Sequence, residues 1–473
     1  MVDDGVLDVV IVGAGVAGLS AAWELRDRNI LVLESEDRVG GRLCSDTRGD
    51  YWINYGAHLL SGSGTYLADV RKTLGLADLP IRGGMASLYF EGQVYRSNRV
   101  EAYPLLLPLR IKERLALILG GLKLMWSVRG YLRAAKAVPG EAVLDRQERL
   151  GNHLNGHSAR ETIGQLPPRV DAILATASRR ASSDLHEHSA GVEATLYASV
   201  WGGGKGENKV TKVNVDGGSA RLPEEMARTL GDRVAVNSKV TKVSTQGHVQ
   251  AVDFDRDGKS HRVLAKKVIM AAPAPVADAV IEDLEDGVRR ALQEIRYGPF
   301  LAMGMLTNES TPMPWDDVYA LTTPGLSFNM FFNHANPLRN GARASGGSLM
   351  VYAGGSDAEK LLPLSDEEIT EIFLKDLEKL YPQTKGIIEE AHVKRWTFGN
   401  AYRRPGADFG GMLDYCRRRG NAVHFAGDYF SQLGAVDRSA ASGVDAARRV
   451  REELASDRAY SPVSSPKMGR SSP

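Results

Sequence analysis

The chain lacks the features that mark several protein classes. Its 473 residues include only two cysteines, Cys44 and Cys416, which are too few for a disulfide framework and favour a reducing compartment. The formal net charge is +1 and no basic tail is present, so the composition does not favour nucleic-acid binding. Residues 1–5 are acidic and lead directly into an apolar run, so we expect no signal peptide. We therefore expect a cytoplasmic protein that binds no nucleic acid, and the length predicts two domains.

The first forty residues contain a complete βαβ pattern. The apolar run 9–12 is followed by Gly13, Gly15 and Gly18 in the spacing G-x-G-x-x-G, and helix-favouring residues come next. In such a pattern the first glycine permits a tight turn, the second lets a pyrophosphate approach the backbone, and the third lets the helix pack closely. A second apolar run ends at Glu34, about 20 residues on, where a carboxylate accepts hydrogen bonds from ribose hydroxyls. The pattern predicts a dinucleotide site at a helix N-terminus.

The residues that follow Glu34 carry a resemblance to a known family. Gly40, Gly41 and Arg42 allow a second close approach to phosphate, with a guanidinium beside it. Across residues 12–42 the chain closely resembles the flavin-containing amine oxidase, protoporphyrinogen oxidase and carotenoid desaturase superfamily. The resemblance implies FAD and an α/β fold, in which a Rossmann-type, glutathione-reductase-like FAD-binding domain is joined to a mixed α+β substrate domain. No cysteine falls where monoamine oxidases attach flavin, so we expect noncovalent FAD, and we expect no metal.

Four later segments resemble the same superfamily. Residues 51–58 resemble the segment that runs beside the isoalloxazine in relatives, although Asn54 replaces the usual acid. Residues 216–243 resemble the return to the FAD domain through a turn, a helix and a strand. Residues 268–273 resemble the strand that ends in Ala-Pro, and residues 422–447 resemble the Gly-Asp pair and the final helix. The resemblance therefore recurs in separate segments from residue 12 to residue 447.

The final helix is implied to point its N-terminus at the flavin pyrimidine. In that register the Val436 N–H faces flavin O2, where a helix N-terminus stabilises the anionic reduced flavin. Asp437, Arg438 and Ser439 depart from the usual Glu-Gly-Ala at this point. The residues implied to bind FAD are Gly13, Ala14, Gly15, Val16, Ala17, Gly18, Glu34, Ser35, Gly40, Gly41, Arg42, Gly56, Ala57, His58, Val240, Ala272, Trp396, Gly427, Asp428, Ala435 and Val436.

We expect two discontinuous domains, because the flavin motifs lie at both chain ends and in the middle. The predicted ranges are 1–82, 207–297 and 398–455 for FAD, 83–206 and 298–397 for substrate, and 456–473 for a disordered tail. The glycine-rich residues 201–206 have no apolar strand before them, so we interpret them as a loop.

One stretch of the substrate segments is unusually rich in leucine. Residues 103–137 are helical in pattern, but charged residues interrupt the run, so we expect it to be too short and too charged to span a bilayer. Two interpretations remain open. The stretch forms buried helices, or it forms an apolar mouth that admits a lipophilic substrate or rests on a membrane surface.

The chemistry follows from a single dinucleotide fingerprint. No second fingerprint is present for NAD(P)H, so we expect the substrate itself to deliver a hydride to flavin N5. Many amine oxidases of the superfamily carry a lysine near N5; our register places Ala302 there, with no lysine nearby. We therefore expect an FAD-dependent dehydrogenase, oxidase or desaturase that creates a double bond in a mostly apolar small molecule. A flavin amine oxidase is the alternative, and a non-redox flavin isomerase is a further one.

The candidate catalytic residues are His58, Trp396 and Tyr402. The resemblance implies that His58 lies near the reactive ring, because the preceding Gly-Ala backbone runs beside the isoalloxazine in relatives, and Trp396 and Tyr402 resemble part of an aromatic wall. We also expect the run 328–332 to line an apolar channel together with residues 103–137. A flavin-free escort protein for prenylated partners shares this fold, but the intact glycine set argues against it. The oligomeric state stays open.

Overall fold

The computed structural model describes residues 5–82, 84–97, 99–201, 212–339 and 345–460. Its strands are β1 Leu7–Val12, β2 Ile30–Leu33, β3 Ser45–Arg48, β4 Tyr51–Asn54, β5 Leu60–Ser61, β6 Asp78–Pro80, β7 Ser87–Phe90, β8 Gln93–Tyr95, β9 Lys212–Val215, β10 Val234–Ala235, β11 Lys239–Gln246, β12 Val249–Arg256, β13 Lys259–Met270, β14 Ile295–Tyr297, β15 Phe300–Thr307, β16 Ala320–Thr322, β17 Met330–Asn333, β18 Gly347–Gly354, β19 Ile388–Trp396, β20 Ala401–Arg403 and β21 Val423–Phe425. Its α-helices are α1 Val16–Glu24, α2 Tyr66–Thr73, α3 Tyr103–Leu106, α4 Ile111–Ala134, α5 Val143–Asn152, α6 Ala159–Ile163, α7 Pro168–Ser178, α8 Ala190–Trp201, α9 Arg221–Leu230, α10 Ala274–Val280, α11 Asp286–Glu294, α12 Gly355–Leu361, α13 Asp366–Leu380, α14 Gly410–Arg417 and α15 Val436–Tyr460.

The first large sheet is the predicted Rossmann-type sheet. Its strand order is β10-β2-β1-β13-β12-β11, and β21 also pairs with β13. Strand β1 runs parallel to β2 and β13, and all six of its residues are buried, as expected of a strand covered on both faces. Helix α1 packs on α15, where a side chain at Gly443 would overlap the carbonyl oxygen of Ala17. The fold class read from the glycine fingerprint is confirmed.

The strand expected within residues 234–243 is wrong in one respect. The segment forms two strands at different places in the sheet, with β10 beside β2 and β11 at the far edge. Between them Asn237 adopts φ +52°, a left-handed conformation that Asn tolerates and that ends a strand. The strand expected at residues 268–273 is the last part of the longer strand β13, Lys259–Met270.

The second large sheet carries the substrate segments. Its order is β19-β15-β18-β17-β16-β7-β8, and it is mixed. One face packs against α13, where Phe328 and Phe373 meet edge to face with ring centroids 5.8 Å apart. The other face, called the inner face below, lies against β4. A Cβ at Gly304 would approach Ile53 Cγ2 to 2.5 Å, so only glycine permits this contact. The distribution of strands between the two sheets supports our proposed domain boundaries.

Two expectations about helices are wrong. Helix α4 has 24 residues and is, by length and composition alone, long and apolar enough to cross a membrane. The final helix continues to Tyr460, so residues 456–460 are helical; in its last turns the Ser456 hydroxyl donates to the Glu452 carbonyl. The rest of the predicted tail, 461–473, and the glycine-rich residues 202–206 lie outside the described residues.

Candidate active site

The glycine turn after β1 leaves open space where a phosphate would approach. Gly13 has φ +98°, and a side chain at Gly18 would overlap the Gly13 carbonyl oxygen, so the turn and the start of α1 are in close contact. A Cβ at Gly15 would meet nothing within 4 Å. Val16 and Ala17 begin α1, so their N–H groups belong to a helix N-terminus. The turn fits a pyrophosphate bound at that terminus.

Glu34 joins this turn to the second glycine loop. The buried carboxylate accepts from the Ala14 N–H at 2.7 Å and from the Glu36 N–H at 2.9 Å, and the Ser35 hydroxyl also donates to it. The Gly40 N–H donates to the Ala14 carbonyl at 2.8 Å. Glu34 Oε1 accepts two of these bonds and Oε2 accepts one, so Oε2 keeps a lone pair for a ribose hydroxyl. The two loops therefore form one cradle at the end of β1 and β2.

Arg42 connects the cradle to the last strand of the sheet. Its guanidinium lies 2.6 Å from Asp428 Oδ2 and also donates to the Gly399 carbonyl. Asp428 is 4% exposed and accepts from the Tyr297 hydroxyl and the Ala401 N–H as well. Burial opposes the charge on Arg42, but Asp428 holds the pKa of Arg42 above its ordinary value. Arg42, Asp428 and Tyr297 thus form a polar cluster next to the predicted FAD site.

The segment after β4 lies against this cluster. The Ala57 N–H donates to the Arg42 carbonyl at 2.8 Å, and a side chain at Gly56 would overlap that same oxygen. Trp396 lies beside Gly56, and its indole N–H donates to the Tyr55 carbonyl at 2.8 Å. These residues form a continuous wall that leads from Arg42 to the inner face.

The remaining residues predicted to contact FAD lie at the strand ends of the first sheet, at the start of α15 and in β11. Gly13, Ala272 and Gly427 follow the adjacent parallel strands β1, β13 and β21, so they gather at one edge of the sheet, where α/β proteins bind nucleotides. Ala435 and Val436 stand where α15 begins, and Val240 is buried in β11. Tyr402 instead packs with Tyr131 and Tyr197, in a cluster apart from that of Trp396. These positions support the proposed FAD contacts.

His58 is buried beside a second histidine. Its Nδ1 lies 3.0 Å from the Gly56 carbonyl, which can only accept, so Nδ1 carries the proton and Nε2 is an acceptor. The His334 ring lies 4.5 Å away, centroid to centroid, and neither its nitrogens nor His58 Nε2 have a partner among the described residues. Burial lowers the pKa of His58 to about 4 and that of His334 well below its ordinary value. Both rings are therefore uncharged, and three of their four nitrogens are buried without a partner among the described residues.

A lysine does lie beside Ala302, contrary to expectation. Ala302 pairs with Tyr352 on one side and with Lys394 on the other, and residues paired in this way share a sheet face. Lys394 Nζ stands 5.2 Å from the centre of the Trp396 ring. The lysine comes from the neighbouring strand β19, which an expectation based on local sequence could not include.

Aromatic side chains cover the inner face around Tyr352. Its ring meets Phe300 edge to face at 4.9 Å and stacks on Phe332 at 5.6 Å. Burial raises the pKa of Tyr352 to about 12, and the nearby positive charge of the Arg180 guanidinium opposes this rise. Among the described residues, no acid forms an ion pair with Arg180. An apolar surface and a free cation therefore meet at Tyr352.

The predicted apolar channel is only partly present. Within residues 328–332, Met330 and Phe332 reach the inner face, whereas Phe328 and Phe331 pack on the opposite face. For Met330, Phe331 and Phe332 this follows from the two-residue period of β17, whereas Phe328 lies before the strand begins. Many leucines of residues 103–137 are exposed on the protein surface instead of lining this face.

A family model described as flavin containing amine oxidoreductase matches residues 16–451. The chain belongs to the flavin-containing amine oxidoreductase family. FAD is its cofactor, and it is an FAD-dependent oxidoreductase that acts on small molecules.

Individual relatives of this family member are distant but cover most of its length. It is 24% identical to the L-amino-acid oxidase of Siganus canaliculatus over 89% of this chain and 80% of that protein. It is 23% identical to the L-amino-acid oxidase of Sistrurus catenatus edwardsii over 93% of this chain and 86% of that one. Its fold is similar to cyclohexylamine oxidase from Brevibacterium oxydans IH-35A, with a TM-score of 0.72, 22% identity and coverage of 95% and 100%. A putrescine oxidase bound to putrescine gives a TM-score of 0.71 at 22% identity, covering 95% and 99%.

These findings favour the amine oxidase alternative over C–C dehydrogenation. The expectation of C–C chemistry depended on the absence of a lysine near Ala302, and Lys394 lies on the paired strand.

Proposed function

We propose that the enzyme oxidises the C–N bond of an α-amino acid that carries an apolar side chain. The observation that carries the proposal is the Arg180 guanidinium close to Tyr352 at the edge of the aromatic inner face. A guanidinium without an acidic partner binds a carboxylate through paired hydrogen bonds. Phe300, Met330 and Phe332 offer an apolar surface to the rest of the molecule.

The chain's own groups support this chemistry. Loss of a hydride from the α-carbon and a proton from nitrogen converts the amine to an imine, so the amino group must first be neutral. His58 Nε2 carries a buried lone pair near the inner face; its pKa of about 4 keeps the ring uncharged, and it accepts a hydrogen bond from the neutral amino group. The ring of Phe332, 4.6 Å from His58, excludes water from this side. When bound, FAD supplies the acceptor for the hydride.

Removing the positive charge of Arg180 tests the proposal. Arg180→Met should lower kcat/KM for L-phenylalanine by 10- to 100-fold, since a hydrogen bond to a charged group contributes about 1.5–3 kcal/mol. 2-Phenylethylamine, which has the same ring and no carboxylate, should be oxidised equally well by both enzymes. Arg180→Lys keeps the charge and should retain part of the activity on the amino acid. Equal losses on both substrates, or no loss on either, would contradict the assignment.

A simple apolar amine is the second candidate. Aromatic rings such as those of Phe300 and Tyr352 attract an ammonium group without any carboxylate partner. The similar structure of cyclohexylamine oxidase is consistent with this alternative. Oxidation of 2-phenylethylamine with a much higher kcat/KM than L-phenylalanine would favour it. A diamine is disfavoured, because Arg180 repels its second positive charge.

A further inference from the structure

Helices α3 and α4 expose an apolar surface that the oxidation reaction does not use. Ile111 is 79% exposed and Trp126 is 72% exposed, unusual values for such large apolar side chains. Most of the large exposed apolar side chains of the described residues lie here. They are Leu105, Leu106, Ile111, Leu115, Ile118, Leu119, Leu122 and Trp126. We call these eight residues the apolar patch.

The patch follows one face of α4. Its residues on this helix recur every three or four positions from Ile111 to Trp126, which is the period of a helix face and spans about 22 Å. The opposite face is buried in the domain through Leu117, Leu124 and Val128. Because one face packs on the protein, α4 lies along the surface and does not cross a bilayer as an isolated helix.

Basic residues surround the patch. Residues 102–140 contain seven lysines and arginines and a single acid, Glu113, whereas the whole chain has a net charge of +1. Glu113 lies 2.7 Å from Arg169, so its charge is paired. Exposed basic residues occur at both ends and along the side of α4: Arg110, Lys112, Lys123, Arg129, Arg133 and Lys136. Positive charge is therefore concentrated around the most apolar surface of the molecule.

We propose that the apolar patch docks on an anionic lipid membrane, with α4 lying in the plane of the headgroups. An amphipathic helix with apolar side chains, a tryptophan and flanking basic residues binds such a surface through both apolar burial and charge attraction. A second copy of this chain fits less well, because a symmetric dimer would place two sets of like charges against each other. The membrane proposal is independent of the substrate, since it uses none of the residues assigned to oxidation.

Vesicle co-sedimentation of the full-length, FAD-loaded enzyme tests the proposal. The wild type should bind vesicles of phosphatidylcholine with about one third phosphatidylglycerol, and it should bind pure phosphatidylcholine and high-salt samples much more weakly. Leu119→Glu with Trp126→Glu should weaken binding by about 100-fold or more, because two large side chains no longer enter the membrane. Arg129→Ala with Arg133→Ala should weaken binding to the anionic vesicles by about 30-fold. Val6→Glu alters an exposed apolar residue of the other domain and should leave binding unchanged.

Light scattering on the same proteins tests the alternative that the apolar patch binds a second copy of this chain. A monomeric wild type that binds the anionic vesicles, with the losses above, supports the proposal. A wild type that does not bind either vesicle overturns it. So does a dimer that the two glutamates dissociate while vesicle binding is absent. Because vesicle binding requires no turnover, these outcomes are distinct from a failure of the proposed oxidation.

Discussion

Replacing Gly15 by valine should separate cofactor binding from folding. A Cβ at this position meets nothing within 4 Å, and the backbone at φ −69° and ψ 176° is accessible to any residue. The variant should therefore fold, while its side chain fills the space predicted for the pyrophosphate. Gly18→Ala is the matched contrast, because its methyl group would overlap the Gly13 carbonyl oxygen and disturb the turn itself.

The size of the effect follows from mass action. A ligand present at 1,000 times its Kd stabilises the folded state by about 4 kcal/mol, so Gly15→Val should lose that contribution. Urea unfolding with and without added FAD measures it, together with the visible spectrum of the purified protein. Added FAD should raise the unfolding midpoint of the wild type, but the midpoint of Gly15→Val should stay at the wild-type apoprotein value. A Gly15→Val protein that is purified with a full complement of flavin would refute the reasoning.

Two further predictions concern the flavin linkage and the buried histidine. Acid precipitation should release all the yellow colour, because burial raises the pKa of the Cys44 and Cys416 thiols and keeps them unreactive; flavin that stays in the pellet would show a covalent link. Burial lowers the pKa of His58 from 6.5 to about 4, so the unfolded chain binds the extra proton in this window, and the stability present above pH 6.5 falls by up to about 3 kcal/mol as the pH drops to 4. Urea unfolding at pH 7 and pH 4.5 should show a smaller loss for His58→Gln than for the wild type, and equal losses would contradict it.

The local sequence was sufficient to predict the cradle that the two glycine loops form. The turn at Gly13, the acid at Glu34 and the second loop at Gly40 lie within one βαβ unit, so their spacing alone predicts that they meet. The hairpin of β7 and β8 is also a local feature, because Glu91 and Gly92 both adopt positive φ between the two short strands.

The inner face could not be predicted in the same way. Lys394 lies beside Ala302 only because β15 and β19 pair across a long stretch of chain, and His334 meets His58 from a different sheet. Arg180 reaches Tyr352 from the turn after α7, and its sequence neighbours carry no motif. Such contacts depend on strand order and packing, which a single sequence does not display. The sequence could not decide between the two interpretations of residues 103–137 for a related reason, since the exposure of α4 depends on which face of the helix the domain covers.

Anaerobic rapid mixing of the FAD-loaded enzyme with candidate substrates tests the central claim most directly, because bleaching of the flavin absorbance reports hydride transfer itself. The account predicts fast bleaching by L-amino acids with apolar side chains, slower bleaching by the matching amines, and little bleaching by putrescine. Rapid bleaching by polyenes or porphyrinogens, with none by amino acids or amines, would contradict it.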